Sequence, residues 1–351
     1  MKRLTLITML LATALVARAF DFSEAAPTGQ MLYYTITSGT TVKVVSGTPK
    51  PTGRLIIPAT AGGYNVTEIA SQAFSNCTGL TSVSVPGSVT TIGMRAFAGC
   101  SALTSAFLAE GVQSISMMAF SSCTSLDTVS LPSTMTVIAA GCFGNTAIIN
   151  DDSHWQDSVL YISNYLIASM SARTGILTVA DSTLGIANDA LDYCHINKCV
   201  LPEGLHFIGD MAFKDCTLLD TVCMLGTMPP TITSGSFNGC TALSAVVVPC
   251  SSATAYNNAQ YWNQLNIVED TCPTPHVSIA TAQENNVTAT VSRGILTVNG
   301  ANGQPIIVSD ITGRRISSIA SANNTSVVLP STGIYIVSVG SSAPLKICYL
   351  K

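Results

Sequence analysis

Charge is scarce in this sequence: Asp, Glu, Lys and Arg make up 10% of its 351 residues, against about 25% in an ordinary globular chain. The 15 Lys and Arg are scattered among 19 Asp and Glu, so no basic block exists to neutralise phosphates and nucleic acid is excluded as a partner class. Histidine occurs four times and tryptophan twice. No HExxH, GxSxG, P-loop or GxGxxG pattern appears, which removes the commonest signatures of metal-assisted hydrolysis, acyl transfer and nucleotide binding. No apolar run beyond the N-terminus approaches the roughly 18 residues of a membrane-spanning helix. The chain reads as non-enzymatic, with no cofactor and no metal.

Hydrophobic residues, by contrast, are abundant at 47%, more than one compact core of this chain length absorbs. Some of the excess is an export signal. Lys2 and Arg3 precede an apolar stretch from Leu4 to Val16, and Ala17-Arg18-Ala19 has the small-x-small form of a cleavage site. Residues 1–19 therefore read as a signal peptide, with the mature chain starting near Phe20. The remaining excess has a period. VTEIASQAFSNCTGLTSVSVPGS from Val66, VTTIGMRAFAGCSALTSAFLAEG from Val89 and VQSISMMAFSSCTSLDTVSLPST from Val112 match position by position at one fixed offset. A fourth unit starts at Met135 and breaks after Phe143; the period returns with Thr183, Leu205 and a degenerate unit near Pro229.

Within a unit, LxxVxV alternation reads as a short strand with Leu80, Val83 and Val85 inward. The VxxIxxAFxxC part spaces its apolar residues by three or four, as a turn of helix or a 3₁₀ piece does. Such a unit cannot bury its apolar side alone, but stacked copies share a continuous core. The expectation is an α+β repeat: a leucine-rich-repeat solenoid with one parallel ladder through Val83, Ala106, Val129, Cys199, Val222 and Val246. CTGLTSVSVPGSVTTIGMRAFAGC from Cys77 to Cys100 resembles the repeat of BspA-like, Treponema-type leucine-rich-repeat proteins of bacterial surfaces. The resemblance implies a surface-exposed or secreted binding protein.

The expected organisation is an N-terminal β cap at 20–65, the solenoid at 66–250, a C-terminal cap at 251–272 and a separate β-sandwich at 273–351. Inside the solenoid, residues 147–172 hold VLYI and YLIA around Ser163-Asn164, the pattern of an inserted hairpin. Six of the 12 cysteines, Cys77, Cys100, Cys123, Cys194, Cys216 and Cys240, share one repeat offset. Neighbours in such a column lie about 4.8 Å apart with parallel side chains, whereas a disulfide needs converging Cβ atoms. They are expected to be buried thiols that donate to loop carbonyls. Cys250 and Cys272 stand outside the column, bracket the C-terminal cap, and are the disulfide candidates. Asp151, Asp152 and His154 form the most compact acidic and imidazole cluster and read as a polar loop leading into the hairpin.

Between the inward residues of each strand, Ser84, Phe107, Ser130, Val200, Cys223 and Val247 fall in one outward row. Ser82, Ser105, Thr128, Lys198, Thr221 and Ala245 fall in the next. This uncharged ledge, with Ser84, Phe107, Ser130, Lys198, Val200 and Val247 as its candidate contact residues, is where a solenoid takes a protein or glycan partner. In the tail, SDITGRRI, VVLPSTGIYIVSV and the terminal LKICYLK resemble the C-terminal sorting modules of Bacteroidetes proteins exported by the type IX system. Asp310, Gly313, Arg314, Gly333 and Tyr335 occupy the recognisable positions. That likeness implies delivery to the outer surface of a Gram-negative cell, although Arg314 and Arg315 equally fit a solvated turn. Adhesion to host matrix proteins or other microbes leads the functional readings; an envelope scaffold or a glycan-binding part of a nutrient system are the alternatives.

Overall fold

The computed structural model describes residues 20–270 and, further on, residues 287–292, 295–310, 314–320, 324–330, 333–340 and 345–349. The expected signal peptide and Cys272 lie outside the described residues. The chain divides into two compact units between Asp270 and Thr271.

The first unit opens with an antiparallel meander of Phe22–Ala25, Met31–Ile36 and Thr41–Val45. The third of these strands pairs in parallel with Tyr64–Ile69 and so converts a cap into a solenoid. From there each of the next three coils contributes to two parallel ladders. One runs through Gly53–Ile56, Leu80–Val85, Ser105–Leu108 and Thr128–Ser130. The other runs through Tyr64–Ile69, Thr91–Ile92, Ser114–Ile115 and Val137–Ile138. Leu80, Val85, Ile92, Phe97 and Leu103 are fully buried between them.

The VxxIxxAFxxC half is thus not a turn of helix. It is a two-residue strand followed by successive turns, closed by i→i+3 bonds such as Cys77 N–H to Phe74 O at 3.1 Å and Leu80 N–H to Cys77 O at 3.0 Å. These bonds impose the three-residue apolar spacing that mimics a helix. Left-handed residues at Gln72 (φ 59°) and Asn76 (φ 56°) interrupt any helical path. Their N–H groups then point to the next coil: Gln72, Phe74 and Asn76 donate to the carbonyls of Met94, Ala96 and Ala98 at 2.7–3.0 Å. The turns therefore knit coils together as the strands do.

Two columns fill the core behind the turns. Phe74, Phe97, Phe120 and Phe143 stack at centroid distances of 5.1, 5.0 and 5.7 Å. The cysteine column consists of free thiols that donate to the preceding coil: Cys100 to Phe74 O, Cys123 to Phe97 O, Cys216 to Leu191 O and Cys240 to Phe213 O, at 3.0–3.2 Å. Burial pushes the Cys194 thiol up to about 11 and raises those of Cys142 and Cys199 as well, so these sulfurs stay protonated and inert.

The expected single ladder is in fact two. Val83, Ala106 and Val129 lie on the first; Cys199, Val222 and Val246 lie on another, formed by Thr174–Thr178, His195–Leu201, Thr221–Met224, Ala245–Val248 and Ile267–Glu269. Where the fourth coil owes a strand, the sequence AIINDDSH lacks the alternation, and a helix at Ala147–Asn150 and a 3₁₀ turn at Asp152–His154 stand instead. The hairpin is present as Val159–Ile162 and Tyr165–Ser169. It is part of the solenoid wall: Tyr165–Ser169 pairs in parallel with Gly185–Ile186 and starts the second half's other ladder. Packing stays continuous across the break, because one buried cluster extends from Ala26 to Trp262 and the Tyr165 hydroxyl donates to Pro132 O at 2.8 Å.

Trp262, 1% exposed, and Tyr256 close the far end. Their Nε1–H and O–H donate to Pro230 O and Gly226 O at 2.7 and 2.8 Å. In the second unit, strands of three and four form two antiparallel sheets around one core containing Leu296, Val298, Ile306, Val308 and Val337.

Candidate ligand-binding face

The outward rows follow from register. Arg54, Ser82, Ser105 and Thr128 are successive partners on the first ladder, and so are Ile56, Ser84, Phe107 and Ser130. On the second ladder Ile176, Lys198, Thr221 and Ala245 form one row, and Thr178, Val200, Cys223, Val247 and Val268 the other. The structure thus brings Ser84, Phe107 and Ser130 together, and Lys198, Val200 and Val247 together, but on two separate ledges. Arg54, Ile176 and Val268 are additions. Arg54 sits in GRLIIP, which reads as cap sequence although it carries the alternation of a repeat strand.

The first ledge is concave. A depression of about 330 Å³ is lined by Arg54, Ser82, Val83, Ser84, Ser105, Ala106, Phe107, Thr128 and Ser130. Phe107 is 54% exposed, on a strand paired on both edges. The hydroxyls differ from those on the flanks of the solenoid. Thr90, Thr104 and Thr136 donate to the carbonyls of Thr67, Thr81 and Gln113 in the coil before, at 3.0–3.3 Å. Ser244 does the same to Asp220 O at 3.1 Å. The side chains of Ser82, Ser84, Ser105, Thr128 and Ser130 make no hydrogen bond to another protein group among the described residues. Arg54 likewise has no ion pair among them.

The second ledge is aliphatic. Ile176 is 59% and Val268 40% exposed, with half-buried Val200, Cys223 and Val247 between. Lys198 is its one charge.

The polar loop at the break has a structural role. His154 Nε2 meets Asp127 Oδ1 at 2.8 Å, an aspartate that sequence spacing does not single out, and ties the 3₁₀ turn to the third coil. Asp151 accepts from Ser153 N–H at 2.9 Å, which holds its carboxyl below the usual range. Among the described residues no three His, Cys, Asp or Glu side chains gather as a metal site would need. Cys250 is disulfide-bonded. In the second unit, Arg314 donates from N–H and Nε to the two oxygens of Asp310, both at 3.0 Å, and closes the hairpin between Ile306–Asp310 and Arg315–Ile319. These two tail residues therefore act on each other. Tyr335 is buried and Gly333 begins a strand; Gly313 lies outside the described residues.

The family described as a BspA-type leucine-rich-repeat region, in six copies, matches residues 59–173 and 151–268. The chain belongs to this family. BspA-type repeats are binding scaffolds, and the solenoid of parallel coils is their fold. Residues 274–348 match a domain of unknown function, DUF6383. No curated protein matches the sequence. Among solved structures, a leucine-rich-repeat protein of T. pallidum is similar at 26% identity over 60% of this chain and 87% of that one, with a TM-score of 0.34. One from Bacteroides capillosus has 30% identity over 30% and 83%, with a TM-score of 0.28. A leucine-rich cell surface protein of Faecalibacterium prausnitzii has 20% identity over 71% and 94%, with a TM-score of 0.26.

Proposed function

We propose that this BspA-type chain is a non-enzymatic, exported adhesion protein that attaches its cell to host matrix proteins or to other microbes through the outward ledges of its strand ladders. The observation that carries this reading is the pair of extended faces holding one Lys and one Arg between them, with Phe107 and Ile176 exposed on them. Ser84, Phe107 and Ser130 serve as contacts on the first ledge, and Lys198, Val200 and Val247 on the second. A ligand that spans strands gains many small contacts from such a face without any enclosed pocket. The membership in a family of surface binding repeats supports it. Residues 1–19 act as the export signal. The second unit acts as a type IX sorting module at the outer membrane of a Gram-negative cell, supported by the residue pattern around Asp310 and Tyr335. Cys272 is the partner of Cys250 and fastens the C-terminal cap.

The test is capture of the full mature chain on immobilised matrix proteins and on whole microbial cells, beside Phe107→Ala and Val247→Asp variants. Capture that falls with either substitution supports adhesion; absence of capture on every surface favours an envelope scaffold. For the tail, removal of residues 274–351 in the native host is expected to leave the protein in the periplasm, and normal surface delivery would reject a sorting role.

A further inference from the structure

We infer that the first ledge binds carbohydrate, namely the short glycan of a surface glycoprotein; this rests on the proposal that the ledge is the recognition surface. Five hydroxyls, on Ser82, Ser84, Ser105, Thr128 and Ser130, are uncommitted there, while the flank hydroxyls of the same coils are engaged with carbonyls. Each uncommitted hydroxyl can donate one hydrogen bond and accept two. They form a grid with steps of about 4.8 Å across strands and about 7 Å along them. A sugar ring, whose own hydroxyls donate and accept at short intervals in two dimensions, matches such a grid.

A peptide that adds to a sheet needs an open strand edge, and the two strands beneath the centre of the depression, Leu80–Val85 and Ser105–Leu108, are paired on both edges; the sheet ends only at the rims, with Gly53–Ile56 and Thr128–Ser130. Phe107 lies in the row with Ser84 and Ser130, so an exposed ring stands amid the hydroxyls where the C–H face of a sugar can cover it. Arg54 ends the neighbouring row without an ion pair, and no acidic side chain lines the depression. That charge balance favours a glycan bearing a carboxylate or sulfate, which a guanidinium grips with two hydrogen bonds. The ladder stops at Gly53–Ile56 on one side and at Thr128–Ser130 on the other. Four strands span about 14 Å, the scale of a short terminal oligosaccharide.

Full mature chain is applied to an array of defined neutral and acidic oligosaccharides, and to an immobilised sialylated glycoprotein before and after enzymatic deglycosylation. The expected result is binding to acidic glycans and loss of glycoprotein capture on deglycosylation. Phe107→Ala is expected to weaken both about tenfold, the size of a lost aromatic contact, with Phe107→Tyr close to the parent. Arg54→Gln is expected to lose the preference for acidic over neutral glycans, while the flank variant Thr136→Ala binds as the parent does. Glycoprotein capture that survives deglycosylation yet falls in Phe107→Ala overturns the carbohydrate assignment and leaves the ledge as recognition surface. Capture indifferent to Phe107→Ala in folded protein overturns both. A parent chain that binds no oligosaccharide on the array overturns the assignment as well.

Discussion

From Tyr64 to Phe143 the coils advance by one constant step: Ser82, Ser105 and Thr128 are direct partners, and four phenylalanines stack behind them. From Thr174 to Glu269 the step varies. Ile176 pairs with Lys198, Lys198 with Thr221 and Thr221 with Ala245, each step longer than the one before it, and the last, from Val246 to Ile267, is shorter again. Leu191 stands where a ring is due, and within that column stacking resumes at Phe213 and Phe237, 5.0 Å apart. Inside, the halves obey one rule, since a residue with neighbours above and below must fill a fixed slot. Outside they diverge into a hydroxyl-rich concavity and an aliphatic strip. The period constrains what is buried and leaves the ledges free, so the two halves differ in their outward rows.

Four substitutions break or sharpen that comparison, read by urea unfolding with tryptophan fluorescence. Trp155 and Trp262 are the chain's two tryptophans, and both belong to the first unit. Phe97→Ala, at a fully buried ring flanked by two others, is expected to cost about 3–5 kcal/mol. Leu191→Phe restores the ring but enters a slot with no exposed surface, so it is expected to cost about 1–3 kcal/mol. A gain in stability there would show that the second half is merely underpacked. Cys123→Ala removes the thiol donor to Phe97 O, and the expected loss is about 1 kcal/mol. Arg95→Gly is expected to stabilise by about 0.5–1 kcal/mol, because Arg95 holds a left-handed φ of 54° that glycine adopts without strain. Gly141 already fills the equivalent place one coil beyond Met118, at φ 61°. A destabilised Arg95→Gly would mean that the side chain, whose Nη2 lies 3.5 Å from Met118 Sδ, outweighs backbone strain.

The core rows, the cysteine column and the positions of Ser84, Phe107, Ser130, Val200 and Val247 along their strands were legible from the repeat offsets alone. Alternation fixes which side chains face inward, and the offset fixes which ones meet. The second wall of the solenoid was not legible. Chained β-turns and helices share an apolar spacing of three, and only the backbone sign at residues such as Gln72 and Asn76 separates them. The break in the ladder was visible as a lapse in pattern, yet its consequence depends on Tyr165–Ser169 finding a parallel partner in Gly185–Ile186, a tertiary choice that a local pattern does not encode. Asp127 as the partner of His154 escaped for the same reason: they stand far apart in the chain, on coils that only the fold makes neighbours. Arg54 was hidden by its place before the first full repeat.

The account turns on the separation of inside from ledge, and Phe107→Ala tests it most directly. In the full chain this variant is expected to unfold within about 0.5 kcal/mol of the parent, as an exposed truncation does, while its capture of the sialylated glycoprotein weakens about tenfold. A Phe107→Ala chain that unfolds as readily as Phe97→Ala, or that is captured as well as the parent, would contradict it.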